Sequence, residues 1–155
     1  MLYKRHGNRN YYFINPNTGQ ERPLVQNESV GYMIQLRYSP DNKKAVVLWN
    51  RTPVCGLWSI SLEDSSQVLL HSCREYPIKW SSDGKWIYAY RRYSRKFPDI
   101  LKMSISSSEV DTLIHLPFEN AFFVDMTGDG DKIICAAYET QSDIWLMENF
   151  DPEIK

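Results

Sequence analysis

The chain has 155 residues, of which 43% are hydrophobic and 14% aromatic, which is enough to bury a core and excludes a disordered chain. Its 18 lysines and arginines against 19 aspartates and glutamates leave a net charge of −1. No global field therefore attracts nucleic acid or an acidic membrane, and any such binding has to be local.

The sequence contains no recognisable membrane-spanning or secretory segment and few cysteines. No apolar run reaches the roughly 18 residues of a membrane-spanning helix, and the N-terminus has no apolar region typical of a secretory signal. We therefore expect the chain as given to be cytoplasmic, or to be part of a larger protein. The three cysteines, Cys55, Cys73 and Cys135, are odd in number and without CxxC spacing, which favours reduced packing residues over disulfides or a zinc site.

The first 31 residues predict an incomplete unit. Two β-prone segments, at 10–14 and 22–25, flank a polar turn at 15–20, and residues 2–5 are a candidate for the strand before them. These segments match the last strands of the unit that repeats further along the chain.

A short turn segment then occurs three times. Its copies are YSPDNK at 38–43, WSSDGK at 80–85 and MTGDGD at 126–131. The Asp-Asn and Asp-Gly pairs accept the positive φ of a tight hairpin, while the preceding serine or the aspartate can bond the turn backbone. Turn formation explains these residues without catalysis.

Strands are predicted at matching places after each turn. The predicted strands are 45–49, 86–90 and 132–137 directly after the turns, 56–60, 99–103 and 143–147 further on, and 67–70 and 111–114 at the end of the first two copies. The repeat is thus four strands in a little over forty residues, the size of one blade of a β-propeller.

The chain is therefore predicted to be all-β, with blades of four antiparallel strands, about three blades plus a partial one, in one propeller-type domain. The predicted units are a partial blade at 1–31, blades at 32–72 and 73–117, and a blade lacking its outer strand at 118–155.

The turn, the apolar strand after it and the Asp-Ile-Trp-Leu of residues 143–146 resemble the repeat of TolB-like propellers, a WD-repeat-like architecture also met in prolyl-oligopeptidase-type peptidases. The resemblance covers nearly the whole chain, and the third copy departs from it at 126–128. It implies a ring of six or more blades, a role in protein–protein interaction, and a parent family often found in the periplasm. Three blades cannot close such a ring, so we expect either the C-terminal blades of a longer propeller or two half-propellers that associate.

Signals for chemistry are weak. Residues 125–131 resemble the opening of a calcium loop, but Ala136 stands where the loop needs a glutamate, so a turn explains them better. The histidines His6, His71 and His115 accompany no recognisable catalytic motif. The chain is predicted not to be an enzyme and to need no metal or cofactor.

A basic loop with interleaved aromatic residues, at 90–98, is the best candidate contact surface. Such a loop can bind an acidic peptide, whereas nucleic acid is an unlikely partner for this chain. The alternative is a solvated loop that Tyr90 and Phe97 anchor to its blade. The predicted binding residues are Arg91, Arg92, Tyr93, Arg95 and Lys96.

Two functions are compatible with the sequence. The first is a non-catalytic propeller module for protein or ligand binding, which completes its ring by self-association or within a longer chain. The second is the substrate-gating propeller of a prolyl-oligopeptidase-like peptidase, or of a receptor, whose catalytic or signalling domain lies elsewhere.

Overall fold

The computed structural model describes residues 2–3, 10–26, 31–72, 74–92, 97–118, 121–127 and 132–137. Every regular element in these ranges is a β-strand, and none of their segments is a helix long and apolar enough to cross a bilayer. The strands are β1 (Leu2–Tyr3), β2 (Tyr12–Ile14), β3 (Glu21–Pro23), β4 (Gly31–Tyr38), β5 (Lys44–Arg51), β6 (Gly56–Ser61), β7 (Gln67–His71), β8 (Tyr76–Trp80), β9 (Trp86–Arg91), β10 (Asp99–Ser104), β11 (Val110–His115), β12 (Ala121–Met126) and β13 (Ile133–Ala137).

The strands form four antiparallel sheets in chain order. The first sheet has the order β1-β2-β3, the second β4-β5-β6-β7, the third β8-β9-β10-β11 and the fourth β12-β13. Neighbours in the sequence are thus neighbours in each sheet, as expected for strands joined by short turns. The prediction of an all-β chain is confirmed.

One predicted strand is shorter in the structure, and another lies outside the described residues. β3 ends at Pro23, earlier than predicted: the main-chain N–H of Leu24 still bonds the carbonyl of Tyr11, and the side chains of Leu24 and Val25 are buried in the core. The strand predicted at 143–147 lies outside the described residues, so the extent of the last unit stays a prediction. Cys55 and Cys135 carry free thiols, and Cys73 is outside the described residues.

The first two of the repeated turns, at 38–43 and 80–85, have the predicted chemistry, and residues 128–131 of the third lie outside the described residues. Ser39 donates its hydroxyl to Asp41 Oδ1 over 2.6 Å, and the same Asp41 oxygen accepts the main-chain N–H of Lys43. Asn42 has a φ of 56°, the left-handed conformation that this turn requires. Ser81, Asp83 and Gly84 repeat the arrangement in the third sheet, with φ at Gly84 of 70°.

Three apolar cores lie between successive sheets. One joins the first sheet to the second, one joins the second to the third, and one joins the third to the fourth. Because side chains alternate along a strand, β5 sends Val47 and Trp49 into the first core and Val46 and Leu48 into the second. Because β5 is buried on both faces, its sequence is a continuous apolar run at 45–49 instead of an alternation of apolar and polar residues.

The first strands of the second, third and fourth sheets lie side by side. β8 packs against β4 on one side and against β12 on the other. We call β4, β8 and β12 the inner strands. The second, third and fourth sheets therefore stand face to face, with their inner strands on a common side of the molecule.

Candidate functional site

A cavity of about 170 Å³ lies where the three inner strands meet. It is lined by Gln35, Tyr76, Ile78, Tyr90, Arg92, Ala121 and Val124. We call it the inner cavity. The second, third and fourth sheets all contribute to it, so the site exists only when these sheets pack together.

A bulge in each inner strand shapes the inner cavity. The strand register shifts between Ile34 and Arg37 in β4, between Pro77 and Lys79 in β8, and between Phe122 and Asp125 in β12. An extra residue in one strand bends the strand locally and redirects its side chain. The residues inserted at the three bulges include Gln35, Ile78 and Val124, and all three line the cavity.

Gln35 has an unusual backbone conformation. Its φ is 49°, a left-handed value that costs a residue other than glycine about 1–3 kcal/mol. Its side chain is half-buried, and no other described group forms a hydrogen bond with its amide. Backbone strain of this kind is often associated with functional sites.

Two tyrosines form the aromatic wall of the cavity. Tyr76 and Tyr90 are cross-strand partners, and their ring centroids lie 6.3 Å apart with an angle of 40° between the planes. Tyr90 donates its hydroxyl to the main-chain carbonyl of Ala121 over 2.5 Å. This bond ties the third sheet to the fourth across the cavity and leaves the faces of the rings as apolar lining.

Arg92 supplies the positive charge of the inner cavity. It follows directly after the end of β9, in the segment that the sequence singled out as a binding surface. Its neighbour Arg91 points to the opposite face of the sheet, because side chains alternate along the strand. The other predicted binding residues, Tyr93, Arg95 and Lys96, lie outside the described residues.

Arg91 belongs to a row of charged side chains across the third sheet. Its Nε lies 2.8 Å from Glu75 Oε1, and its Nη1 lies 3.9 Å from Asp99 Oδ2. Asp99 Oδ1 is in turn 2.6 Å from Nδ1 of His115. The row crosses all four strands at one end of the sheet, at the start of β8, the end of β9, the start of β10 and the end of β11.

The burial of its carboxylates indicates that this charged row stabilises the fold. The side chains of Glu75 and Asp99 are only 8% and 4% exposed, while that of His115 is 75% exposed. A buried carboxylate needs a partner, and Arg91 forms ion pairs with both Glu75 and Asp99. Arg91 therefore holds the strands of the sheet together, whereas Arg92 is the basic residue among those that line the cavity.

Of the predicted binding residues, Arg92 lines the cavity, and its role in binding stays a prediction. The sequence analysis did not single out Gln35, Tyr76 or the row formed by Glu75, Asp99 and His115. Asp99 is the first residue of the strand predicted at 99–103. Its pairing with His115 becomes evident only when the register of β10 and β11 is known. Nothing in the sequence marks Gln35, since a bulge depends on how two strands pair.

Metal binding finds no support in the described part of the chain. No group of three or more His, Cys, Asp or Glu side chains there is arranged to hold a metal ion. Of the calcium-like segment, residues 128–131 lie outside the described residues, and Asp125 Oδ1 accepts the main-chain N–H of Met126.

Comparison by sequence finds no relative: no family model and no curated protein matches the chain. Solved structures do match. TolB from Acinetobacter baumannii is similar at 18% identity over 89% of this chain and 34% of its own, with a TM-score of 0.64. A protein assigned as TolB from Agrobacterium tumefaciens is similar at 22% identity over 84% of this chain and 46% of its own, with a TM-score of 0.66.

A prolyl endopeptidase is also similar, at 15% identity over 81% of this chain and 22% of its own, with a TM-score of 0.58. Matches at these identities show the fold alone. The fold is that of a TolB-like β-propeller, so the sheets described above are propeller blades, as the sequence predicted. The chain spans between about a third and a half of the length of the two TolB chains.

Proposed function

We propose that this chain is a non-catalytic propeller module that binds an acidic segment of a partner protein at the inner cavity. The observation that carries the proposal is the convergence of three bulged inner strands on one cavity with Arg92 at its lining. Clefts with apolar walls and a few polar groups are the usual form of a binding site.

The positions of the charged groups support binding over chemistry. Arg91, Glu75 and Asp99 pair with one another and hold the strands of one blade. Tyr90, a residue that could act as an acid or base, bonds a main-chain carbonyl of the next blade. These groups stabilise the walls of the site, and the recognition groups of the proposal are Arg92 and Gln35, two polar residues of the cavity lining.

A titration with a peptide of six glutamates and blocked ends tests this function. We expect saturable binding, followed by tryptophan fluorescence, that weakens as salt is raised because the attraction is partly electrostatic. The matched peptide of six glutamines should bind at least about tenfold more weakly. Equal binding of the two peptides would contradict the proposal, as would no binding of either.

The ring is proposed to be completed by another sheet that packs on the last described blade. Ile133 and Cys135 of β13 pack into the core between the third and fourth sheets, whereas Ile134, on the other face, is 61% exposed. In the preceding blades the corresponding face is covered by the next sheet. A second copy of the chain or further blades of a longer chain could supply the cover.

Light scattering over a range of concentrations separates these two arrangements. A stable dimer supports a ring completed between two copies. A monomer at all concentrations would contradict self-association and leave the cover to a longer chain.

The alternative function is a propeller that gates substrate access to a peptidase domain. The structural similarity to a prolyl endopeptidase favours it. Under this alternative the charge at Arg92 acts on passing substrates, and the chain alone should bind the glutamate peptide no better than the glutamine peptide.

A further inference from the structure

The turn after each inner strand aligns one position of the second, third and fourth sheets. A main-chain bond from an N–H to a carbonyl closes each turn, from Ser39 to Lys44, from Ser81 to Trp86 and from Thr127 to Lys132. Val46, Tyr88 and Ile134 each lie two residues after that carbonyl, so they are equivalent. Val46 packs into the core shared with the third sheet and Tyr88 into the core shared with the fourth. We call this the forward position, because it faces the next sheet.

The hairpin between the last two strands of the first three sheets aligns a second position. Its main-chain bonds run from Asn15 to Gln20, from Ser61 to Ser66 and from Ser104 to Glu109. Ile14, Ile60 and Met103 directly precede the three donors and are therefore equivalent. Ile60 packs into the core shared with the first sheet and Met103 into the core shared with the second. We call this the backward position, because it faces the preceding sheet.

A seam inside the chain contains a forward and a backward position. Val46 and Met103 belong to the same core between the second and third sheets, and they are 0% and 1% exposed. The residue is apolar or aromatic at both positions in each sheet where the position is described. Apolar burial between successive sheets is therefore the interaction that the repeat supplies at every seam.

The two ends of the chain each carry one of these positions. Ile134, at the forward position of the fourth sheet, is 61% exposed, whereas the equivalent Val46 is fully buried. Ile14, at the backward position of the first sheet, is half-buried and points away from the first core, because its neighbour Phe13 packs into that core. None of the cores among the described residues joins the fourth sheet to the first. The chain thus has two complementary seam surfaces that it does not pack against each other.

The number of sheets favours a second copy as the missing neighbour. The chain has four sheets, and propellers close with about four to eight blades. Two copies arranged head to tail give a ring at the upper end of this range, whereas three copies exceed it. Such a contact joins two different surfaces of identical chains, and it ends in a closed ring when the rotation between the copies completes a circle.

We propose that a second copy of the chain completes the ring, with Ile134 of each copy packed against Ile14 and Tyr12 of the other. This inference rests on the part of the proposed function in which another sheet covers β13, and it identifies that sheet. Tyr12 lies on the same face as Ile14, at the position of Trp58 and Leu101, which contribute to the internal cores. The ring then has two identical seams, each equivalent to those inside the chain.

A mixture of two charged variants tests the head-to-tail contact. I134R and I14E each place an unpaired charge in both seams of their own dimer, so each variant alone should dissociate with a Kd raised roughly tenfold or more. In the equimolar mixture, one seam joins the two opposite charges and the other seam is natural, so dimers should form again. Sedimentation equilibrium measures the association, and circular dichroism checks that both variants are folded. The control is V68R on the outermost strand β7, which should associate like the natural chain.

Pairs of cysteines provide a second measurement that introduces no charge. I134C and I14C are mixed and oxidised mildly, and the products are separated by mass under denaturing conditions. We expect a cross-linked pair of chains in the mixture, and much less of it in the natural chain, which controls for the cysteines already present, or in either variant alone. This measurement decides the question if I14E does not fold.

Three outcomes would overturn the proposal. They are a natural chain that stays monomeric at all concentrations, a mixture of folded I134R and I14E that does not associate again, and cross-linking of I134C alone as strong as in the mixture, which would indicate a contact between two copies of the same face. The six-glutamate peptide tests the other part of the proposed function independently. If the natural chain is monomeric and still binds that peptide, the ring of two copies is wrong and the binding function stands. If it is dimeric through these seams and binds no acidic peptide, the ring stands and the binding function is wrong.

Discussion

Trp80 donates its indole N–H to the main-chain carbonyl of Arg37, 3.0 Å away, across the seam between the second and third blades. In return, Arg37 donates through Nε to the main-chain carbonyl of Ile78, two residues before Trp80. A similar bond joins the third and fourth blades, where Lys79 donates through Nζ to the main-chain carbonyl of Thr127 over 2.7 Å. Side chains of each blade thus bond the backbone of the next, directly beside the bulges that shape the inner cavity.

Substituting Trp80 by phenylalanine should lower the free energy of unfolding by about 1–3 kcal/mol. The change removes the indole donor, leaves the Arg37 carbonyl without it, and opens a small gap in the core that contains Trp80. Urea denaturation followed by circular dichroism measures the effect.

The control for that substitution is Trp86→Phe. Trp86 is only half-buried, and Lys102 Nζ lies 4.2 Å from its ring centroid. Its loss should change the free energy of unfolding by less than about 1 kcal/mol, the usual strength of an exposed cation–π contact. Equal destabilisation by both substitutions would contradict a special role for the bond between Trp80 and Arg37.

Substituting Arg91 by glutamine should destabilise the third blade by about 3 kcal/mol. Removing the cation takes away the ion-pair partner of the buried carboxylate of Glu75 and one of the partners of the buried carboxylate of Asp99, which keeps its bond to His115. The expected cost lies at the lower end of the range for broken buried pairs because the side chain of Arg91 is itself 35% exposed. Thermal and urea unfolding measure the change.

The comparison for Arg91 is Arg74→Gln, in which an exposed arginine next to the same row is neutralised. Its effect should stay within about 0.5 kcal/mol, as for most surface substitutions. If Arg91→Gln destabilised the protein no more than Arg74→Gln, the ion pairs of Arg91 would not stabilise the blade, and Arg91 would again be a candidate for binding a partner.

Substituting Gly84 by alanine should cost about 1–2 kcal/mol through backbone strain alone. Its φ of 70° suits glycine, whereas an L-residue pays for the left-handed conformation. A Cβ at this position meets only Pro40 Cδ, at 3.9 Å, so no steric clash adds to the effect.

The matching turn of the second blade offers the reverse experiment. Asn42 occupies the equivalent place with a φ of 56°, so Asn42→Gly should leave the free energy of unfolding nearly unchanged or raise it slightly. Destabilisation of both variants to the same extent would show that strain is not the cause.

The stability of the turn around Asp64 should depend on pH below 4. The hydroxyl of Ser61, followed by the main-chain N–H and hydroxyl of Ser66, lowers the pKa of Asp64 from 3.8 to about 2. Because the folded state lowers the pKa, the contribution is present above the unfolded value and is lost as the pH falls from about 4 to about 2. The same direction holds for Asp41 and Asp83, whose pKa values are lowered mainly by the hydroxyls of Ser39 and Ser81.

Melting temperatures of the natural chain and of Asp64→Asn between pH 5 and pH 2 test this effect. The difference between the two proteins should shrink as the pH falls through this window, since the protonated aspartic acid no longer accepts those bonds as a charged group. A constant difference across the window would contradict the lowered pKa.

Substituting Ile134 by arginine should weaken association of the chain. The side chain is 61% exposed on the face of β13 that points away from the described core, where we propose another sheet packs. A buried charge without a partner opposes that packing. Light scattering should show a shift toward monomer.

The control for Ile134 is Val68→Arg. Val68 is 59% exposed on β7, the outermost strand of the second blade. It should leave the solution mass unchanged. Equal loss of association in both variants would indicate general apolar contact instead of a defined seam.

Local chemistry in the sequence determined the fold class. The Asp-Asn turn at 41–42 and the Asp-Gly turn at 83–84 set their hairpins, because their residues favour positive φ and bond their own backbone. The apolar run at 45–49 indicated a strand buried on both faces, and the structure places it between two cores. Such features depend on residues close together in the chain, so they can be read without knowing what packs against them.

Only the tertiary structure decided the site. Gln35, Tyr76, Arg92 and Val124 are far apart in the sequence, and they meet because three bulges fall at equivalent places in three neighbouring strands. Strand alternation then assigned Arg91 to the ion-paired face and Arg92 to the cavity. The physical reason is register: shifting the pairing by one residue moves a side chain to the opposite face of the sheet, and the sequence does not specify where a strand gains its extra residue.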